Sequence, residues 1–477
     1  MRRQRKQQMS FSQLELTAKA KLNPVLEGIS ELLDQATDLV KAVHNDLVKG
    51  LRNPGKGRKG LNAEQVLRAF ILQRVKNLPL RELAERIDDG LSMREFTRFF
   101  WDDVPGHDAF HRAFARICPE TMKLINEVVV QLAVELDMED GAWTRGDTTV
   151  VETDIHYPTD SSLLEDSVRV LTRSVGYIGE ILPDATIGFS NRTWRAKRRA
   201  RQIDKLGGSK RDNDKRVRSK YRDLLSVTRK VVRGARAVAD KARRSPKDEL
   251  NYLDCLAVAK LCDQIETFAS RADQVIAQTQ RRVIQGDKVP ASDKIVSIFE
   301  PHTDIIIRGK KRVPVEFGHK VFLAEAPSGV VYHYEILEGN PPDDGHIGHW
   351  LERHEELFGG PPELLAADRT FHTAGNVKAV TAAGVEIECL PQRGGRRSAQ
   401  REAHEKSRAF RAGQRFRAGI EGRISVLSRG RGMKRCRLSG RERFEVFVAA
   451  AILANNLIAL ARLLERDEAR RRRRKAA

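Results

Sequence analysis

Three acidic side chains stand where a centre acting on a phosphodiester would need them. Asp147 lies in a strand-favouring run, Ala142–Val151, between Gly146 and Thr148, so its carboxylate has little bulk beside it. Asp368 follows the apolar run Leu364–Ala367, at the carboxyl end of an expected strand, where open α/β sheets place ligand-binding residues. Glu421 flanks a helical stripe of Phe416, Ile420, Ile424 and Leu427, and Arg417 precedes it by one turn on the same side, suited to a phosphate. Carboxylates are natural ligands for Mg²⁺ or Mn²⁺, and two such ions about 3.5–4 Å apart clamp the attacking and leaving oxygens of phosphoryl transfer. Each residue also has an ordinary reading. An aspartate at a strand end caps or turns the chain, and a glutamate four after an arginine forms a surface ion pair. Glu152, Asp154 and Asp160 compete with Asp147 for the first position, Asp160 with a turn or cap role as its alternative.

The frame must join distant positions, since 221 residues separate Asp147 from Asp368 and 53 separate Asp368 from Glu421. From Lys294 onward, strand-like runs at Ile295–Phe299, Ile305–Arg308, Lys320–Ala326, Val330–Leu337, Leu364–Ala367 and Val385–Leu390 alternate with helices at Gly345–Phe358 and Ala374–Ala383. This alternation predicts an α/β layer structure with a mixed sheet, closed by helices around Gly413–Leu427 and Arg443–Leu464. His319 and Lys320 fall at the start of an expected strand, positioned to touch scissile DNA or to be an ordinary exposed strand end.

Upstream, 61–101 reads as three short helices. Asn62 with Gln65 caps the first, Asn77-Leu78-Pro79 turns the chain, Leu80–Ile87 is the second, and Ser92 with Glu95 boxes a third ending near Trp101. The pattern is that of a helix-turn-helix or of a plain three-helix bundle, and the basic chain tips it towards DNA. More helix is expected from Asp108 to about Asp137. Between Arg192 and Lys247 there are 22 Lys and Arg against five Asp, a density that argues against a compact core. With Leu250–Val283 it predicts a long helical hairpin whose cations, Arg195, Lys197, Arg198 and Arg199 among them, contact duplex backbone; a charged helix pair for dimerisation is the alternative. Aromatic content there is low, essentially Trp194 and Tyr221, which disfavours a base-stacking platform. The expected domains are an N-terminal helical segment (1–60), a helix-turn-helix-like domain (61–140), a catalytic domain (141–160 and 291–465), a basic helical insertion (161–290) and a disordered basic tail (466–477).

The chain of 477 residues carries a formal charge of +21, which calls for a polyanion, and nucleic acid is the natural one. A membrane is the rival, but the most apolar stretch, Val446–Ala461, is short of a span and holds Asn455 and Asn456, so it reads as a buried helix. The charged start, Met1–Gln8, lacks a secretory apolar region, and a cytoplasmic, nucleoid-associated protein is expected. Five scattered cysteines without a CxxC pair imply reduced thiols. His346, His349 and His354 share one expected helix but only the first two have adjacent spacing, a weak zinc pattern. No glycine-rich loop with Lys-Ser or Lys-Thr signals ATP use.

The chain resembles the DDE insertion-sequence transposases, most closely the ISNCY group. The stretches that carry the resemblance are GDTTVVETDIHYPTDSSLL at 146–164, DKIVSIFEPHTDII at 293–306, EFGHK at 316–320, EGNPPDD at 338–344, AADRTFHT at 366–373 and RAGIEGRIS at 417–425. The resemblance implies an RNase H-like catalytic core in which Asp147, Asp368 and Glu421 bind two Mg²⁺ or Mn²⁺ ions. It further implies cleavage of transposon-end DNA and transfer of the 3′-OH strand to target DNA, by a homodimer or higher assembly on terminal inverted repeats. Relatives often carry Tyr three residues before the Arg and Lys seven after the Glu; here Gln414 and Ser428 stand there, with Arg429 available for the phosphate. That departure keeps two alternatives, a DNA-binding protein of transposase descent without catalysis and a host RNase H-like nuclease.

Overall fold

The computed structural model describes residues 22–56, 60–206, 213–245, 250–307 and 314–476. Helices α1 (Pro24–Gln35), α2 (Thr37–Val48), α3 (Ala63–Lys76), α4 (Leu80–Asp89), α5 (Leu91–Phe96), α6 (His107–Phe114) and α7 (Pro119–Glu135) precede strand β1 (Trp143–Thr153). Next come α8 (Asp160–Ile181), α9 (Thr193–Leu206), α10 (Asn213–Arg244), α11 (Tyr252–Thr279), β2 (Asp304–Ile307), β3 (Val315–Glu325) and β4 (Val331–Ile336). The chain continues through α12 (Ile347–Phe358), β5 (Leu364–Ala366), α13 (Ala374–Ala382), β6 (Ile387–Cys389), α14 (Ala399–Lys406), α15 (Arg408–Ser425), β7 (Arg435–Cys436) and α16 (Arg441–Ala476). It divides into two compact units, Met1–Glu152 with His319–Ala477, and Thr153–Gly318.

The first unit is α/β. Strands β3, β1, β5 and β6 lie side by side in that order, with β4 on β3 and β7 on β1. β1, β5 and β6 run parallel and β3 and β4 antiparallel, which makes the sheet mixed. Beneath it, α3 is capped by the reciprocal Asn62–Gln65 box and stopped by left-handed Asn77; ten of its fourteen residues are buried, so it is a scaffold helix on nearly every face. α4 buries only Leu83 and Ile87 and leaves a polar face outward. The third helix differs from expectation. It starts at Leu91 after extended Gly90, has no side-chain cap, and ends at Phe96, because Ser92 already lies inside the first turn.

Helix α16 meets a length and composition test for crossing a membrane over Arg441–Arg474, but 89% of its apolar window is buried within the protein. Its two asparagines explain themselves. Asn456 accepts from Val331 N at 2.9 Å and donates to Val331 O at 2.8 Å, and Asn455 donates to Gly329 O at 3.0 Å, so they satisfy backbone groups at the start of β4. The basic tail is not a separate disordered segment: α16 continues through Ala476, with Arg471–Asp467 and Arg472–Glu468 pairs one turn apart.

In the second unit, α8, α9, α10 and α11 pack into one helical core, which corrects the inference that the basic segment cannot be compact. Leu224, Leu225, Val231, Val232, Ala235, Val238 and Ala242 are all buried on α10. They recur at helical spacing, so the high average charge hides a continuous apolar stripe. Arg236 bonds Glu266 (3.0 Å) and Asp273 (2.7 Å) across the α10–α11 pair. Asp160 is buried at the start of α8 and accepts from Gln278 (3.1 Å) and Arg282 (2.8 Å), so it ties α8 to the α11 region. The run Ile295–Phe299 is not a strand either: Ile295 and Ile298 fill the helical core while Ser297 caps the amides of Phe299 and Glu300. β2 pairs antiparallel with the first residues of β3, and the expected strand end at Arg308 lies outside the described residues.

Candidate active site

The parallel register brings two of the three acids together. Arg145 on β1 pairs with Ala366, the last residue of β5; Asp147 lies two residues further along β1 and Asp368 two residues past the end of β5. The two are near enough that the Asp368 charge acts on Asp147. Asp147 accepts from the Thr148 amide at 2.7 Å. Asp368 caps the short turn Arg369–Phe371, accepting from the Thr370 amide at 2.6 Å and from the Thr370 hydroxyl. The capping role is thus real, and the same hydrogen bonds hold each carboxylate in place.

A third aspartate, Asp343, joins this pair and was not singled out from sequence. It accepts from the Thr148 hydroxyl at 2.8 Å, lies 3.4 Å from the Thr370 hydroxyl and forms a 2.9 Å ion pair with Lys320. Burial pushes the Asp147 carboxyl up to about 6; the Asp368 and Asp343 charges add to that, while the Thr148 amide and Arg417 pull it back. The only sequence signal for Asp343 is its place in EGNPPDD, where two prolines and two aspartates before a helix read as an ordinary cap.

Helix α15 crosses the sheet beside this cluster, and its attachment is built from residues that sequence reasoning also missed. Glu325, fully buried on β3, receives Arg145 Nε at 2.9 Å and Arg423 Nε at 2.6 Å; Arg145 also donates to the Phe416 carbonyl at 2.6 Å. Arg145 sits over the Phe416 ring at 4.5 Å. A Cβ on Gly413 would lie 2.2 Å from Cys389 Sγ, so only glycine lets the helix come this close to β6. Gln414 donates to the Cys389 carbonyl at 2.8 Å and serves the same docking. The expected stripe is present: Ile420 and Leu427 are buried, Ile424 packs beside them and Phe416 meets Trp143 edge-on at 5.6 Å.

Glu421 is not brought into the aspartate cluster. Its side chain is 71% exposed and pairs with Arg417, 20% exposed, at 3.5 Å. Arg417 connects the two groups, because its charge also acts on Asp147. Among the described residues no group of three or more His, Cys, Asp or Glu side chains is arranged to hold a metal ion. Asp147 and Asp368 are near neighbours, and Glu421 stands one helical turn from an arginine whose charge reaches Asp147.

The remaining candidates fall into two classes. His319 and Lys320 are inside β3, not at its start, and both are buried, so the exposed-strand-end reading is corrected: β3 begins at Val315, well before them. His319 packs edge-on against Phe444 and meets Arg441 at 3.1 Å; Lys320 donates to Pro341 O at 2.6 Å besides holding Asp343. Arg429 is exposed just beyond α15. On α9, Arg195 and Arg199 both bond Asp223, Lys197 is exposed, and Arg198 lies over the exposed Trp194 ring at 5.3 Å. The three histidines do not converge on one another: His346 and His349 both reach Glu335, whereas His354 bonds the carbonyls of Gly141 and Gly360.

Gly146 has a different role from the one its sequence position suggests. A Cβ there would lie 2.8 Å from Trp350 and 3.0 Å from Phe322, so the glycine admits the aromatic core against β1 directly beside Asp147. Trp350 in turn donates to Tyr332 at 2.6 Å and to Thr144 at 3.2 Å, which fixes this part of the strand.

Residues 15–116 match a transposase domain family (DUF772). No curated protein and no solved structure matches the chain.

Proposed function

Starting from a chain whose residues 15–116 match a transposase domain, we propose a DDE-type transposase of the ISNCY group with an RNase H-like core. It cleaves transposon-end DNA and transfers the 3′-OH strand to target DNA. The observation that carries this reading is the nearness of Asp147, on β1, to Asp368, just past the end of the parallel neighbour β5, with the Asp147 carboxyl raised by burial and by the Asp368 charge. Such a pair accepts a divalent cation in place of the Asp147 proton. Asp147, Asp368 and Glu421 would hold Mg²⁺ or Mn²⁺, whose chemistry when bound is to acidify water and stabilise the leaving 3′ oxygen.

The chain's own residues do the rest. Arg417 meets the phosphate, and in doing so releases Glu421 to turn towards the aspartates. Lys320 restrains Asp343 beside them. The exposed cations of α9, the polar face of α4 and Arg429 supply backbone contacts to duplex DNA, and two copies act together because two ends are joined in one event.

The test is cleavage and strand transfer on the terminal inverted repeats that flank the coding region, with Mg²⁺ or Mn²⁺. Asp147→Ala, Asp368→Ala and Glu421→Ala each abolish both reactions; full activity in any of them removes that residue from the site. A second reading, a DNA-binding protein of the same descent without catalysis, is favoured by the exposed Glu421–Arg417 pair. It predicts retained DNA binding with no Mn²⁺ binding that depends on Asp368.

A further inference from the structure

Among the described residues, Arg74 on α3 is a cation without a counter-ion. Its guanidinium has no hydrogen-bond or ion-pair partner among those residues, and its Nε is fully enclosed. It lies over the Phe447 ring at 4.7 Å and near the Phe70 ring at 6.0 Å. Burial pushes it down to about 10, and the one ionisable group that favours its charge is the Cys436 thiol. Arg74 is half-buried, and a guanidinium withdrawn even in part from water is normally paired, because desolvating a charge is costly unless something answers it.

This guanidinium lines a pocket of about 380 Å³ within the first unit. The wall is both basic and aromatic. Lys49, His111 and Arg443 stand around it against a single acid, Glu442, and Phe70 packs edge-on against Phe114 at 5.1 Å on its apolar side. That volume lies within the range of small-molecule sites, which combine apolar walls with a few convergent polar groups. A half-buried guanidinium whose Nε is enclosed, further cations around it and two aromatic rings suit an anion that carries a flat apolar body.

We propose that this pocket binds a nucleoside monophosphate, free or as the terminal residue of a DNA strand, with its phosphate on Arg74 and its base against Phe70 and Phe114. The anion site stands on Arg74 and its surroundings alone. The choice of a nucleotide among anions rests on the nucleic-acid reading above.

The experiment titrates the full chain with inorganic phosphate, with dAMP and with 5′-phosphorylated oligonucleotides bearing one unpaired terminal nucleotide, following thermal stability and calorimetric heat. Phosphate and dAMP bind saturably to the wild type, dAMP the tighter. Arg74→Met weakens both by about tenfold to a hundredfold, the usual loss for a charged hydrogen-bonded contact. Without ligand, Arg74→Met melts no lower than the wild type, since it removes an unpaired charge and keeps the stem. Phe114→Leu weakens dAMP and leaves phosphate unchanged. Should Arg74→Met not fold, Arg443→Gln carries the test, with several-fold weaker binding expected of both ligands.

Competition assigns the source: displacement of dAMP by the overhang oligonucleotide identifies a DNA end, and failure to displace it identifies the free nucleotide. Wild-type protein that ignores millimolar phosphate and dAMP overturns the proposal, as does equal binding by wild type and Arg74→Met. Phosphate binding lost in Arg74→Met, with dAMP no tighter than phosphate, refutes the nucleotide while leaving the anion site. Because none of these readouts uses Asp147 or Asp368, a failed cleavage assay and a failed pocket are distinguishable.

Discussion

Replacing Asp147 with Asn should stabilise the metal-free protein, and the size of the gain follows from the surroundings of the carboxyl. Its pKa stands at about 6 against an ordinary 3.8, with burial as the main cause and Asp368 and Asp343 adding repulsion. An acid raised in this way binds more protons folded than unfolded, so stability is lost as pH rises from about 3.8 through about 6 and stays lost above. Two pKa units correspond to about 3 kcal/mol. Asn keeps an acceptor for the Thr148 amide and removes the charge. The expected outcome at pH 8 is therefore a melting temperature higher by roughly 5 °C, shrinking to nothing near pH 4. Saturating Mn²⁺ in the assay should reverse the order, because the wild type gains binding energy in the folded state and Asp147→Asn gains little. The measurement is a pair of melting curves across pH, with and without Mn²⁺. An Asp147→Asn protein no more stable than wild type at pH 8, or equally stabilised at pH 4 and pH 8, would refute the electrostatic account of the site.

Other perturbations follow from the packing. Glu325→Gln removes the buried carboxylate that both Arg145 and Arg423 bond, leaving two guanidinium groups undercompensated; the expected loss is about 3–5 kcal/mol of stability by denaturant titration, with strand transfer falling as α15 loosens. Gly146→Ala forces a methyl group into Trp350 and Phe322, and should cost about 1–3 kcal/mol in the same titration. Glu421→Gln should leave the melting temperature unchanged, since an exposed pair one helical turn apart contributes at most about 0.5 kcal/mol, yet should abolish strand transfer. All five cysteines are free thiols, so adding a reductant should not shift the melting curve.

Where sequence and structure agree, the interaction responsible is local. The Asn62–Gln65 cap, the α15 stripe and the strand that carries Asp147 depend on spacing within a few residues and can be read from the chain, whereas the parallel pairing of β1 with β5 joins residues 221 apart and cannot. Where they differ, a tertiary contact decided. The basic α10 looked too charged to pack because its cations are as many as its apolar residues, while the apolar residues alone form the buried stripe. Ile295–Phe299 alternates like a strand but fills a helical core, and His319 and Lys320 lie deep in β3 because the strand extends further towards its start than the apolar pattern shows. Asp343, Glu325 and Arg423 had no visible role, since each acquires one only through a partner more than twenty residues away.

The position of Glu421 then becomes informative about how the site would work. Arg417 cannot serve Glu421, Asp147 and a phosphate at full strength at once, because one guanidinium distributes a fixed number of donors. Without DNA, Glu421 pairs with Arg417 and stands apart from two carboxylates that already repel one another; the pair itself adds little, and a fully assembled acidic triad without cations would be more strained still. A phosphate taking Arg417 removes that partner from Glu421 just when cations are needed between the aspartates. On this reasoning Mn²⁺ affinity rises when transposon-end DNA is bound, and Arg417→Ala uncouples the two; equal Mn²⁺ affinity with and without DNA would mean that Glu421 is held outward by something other than its arginine.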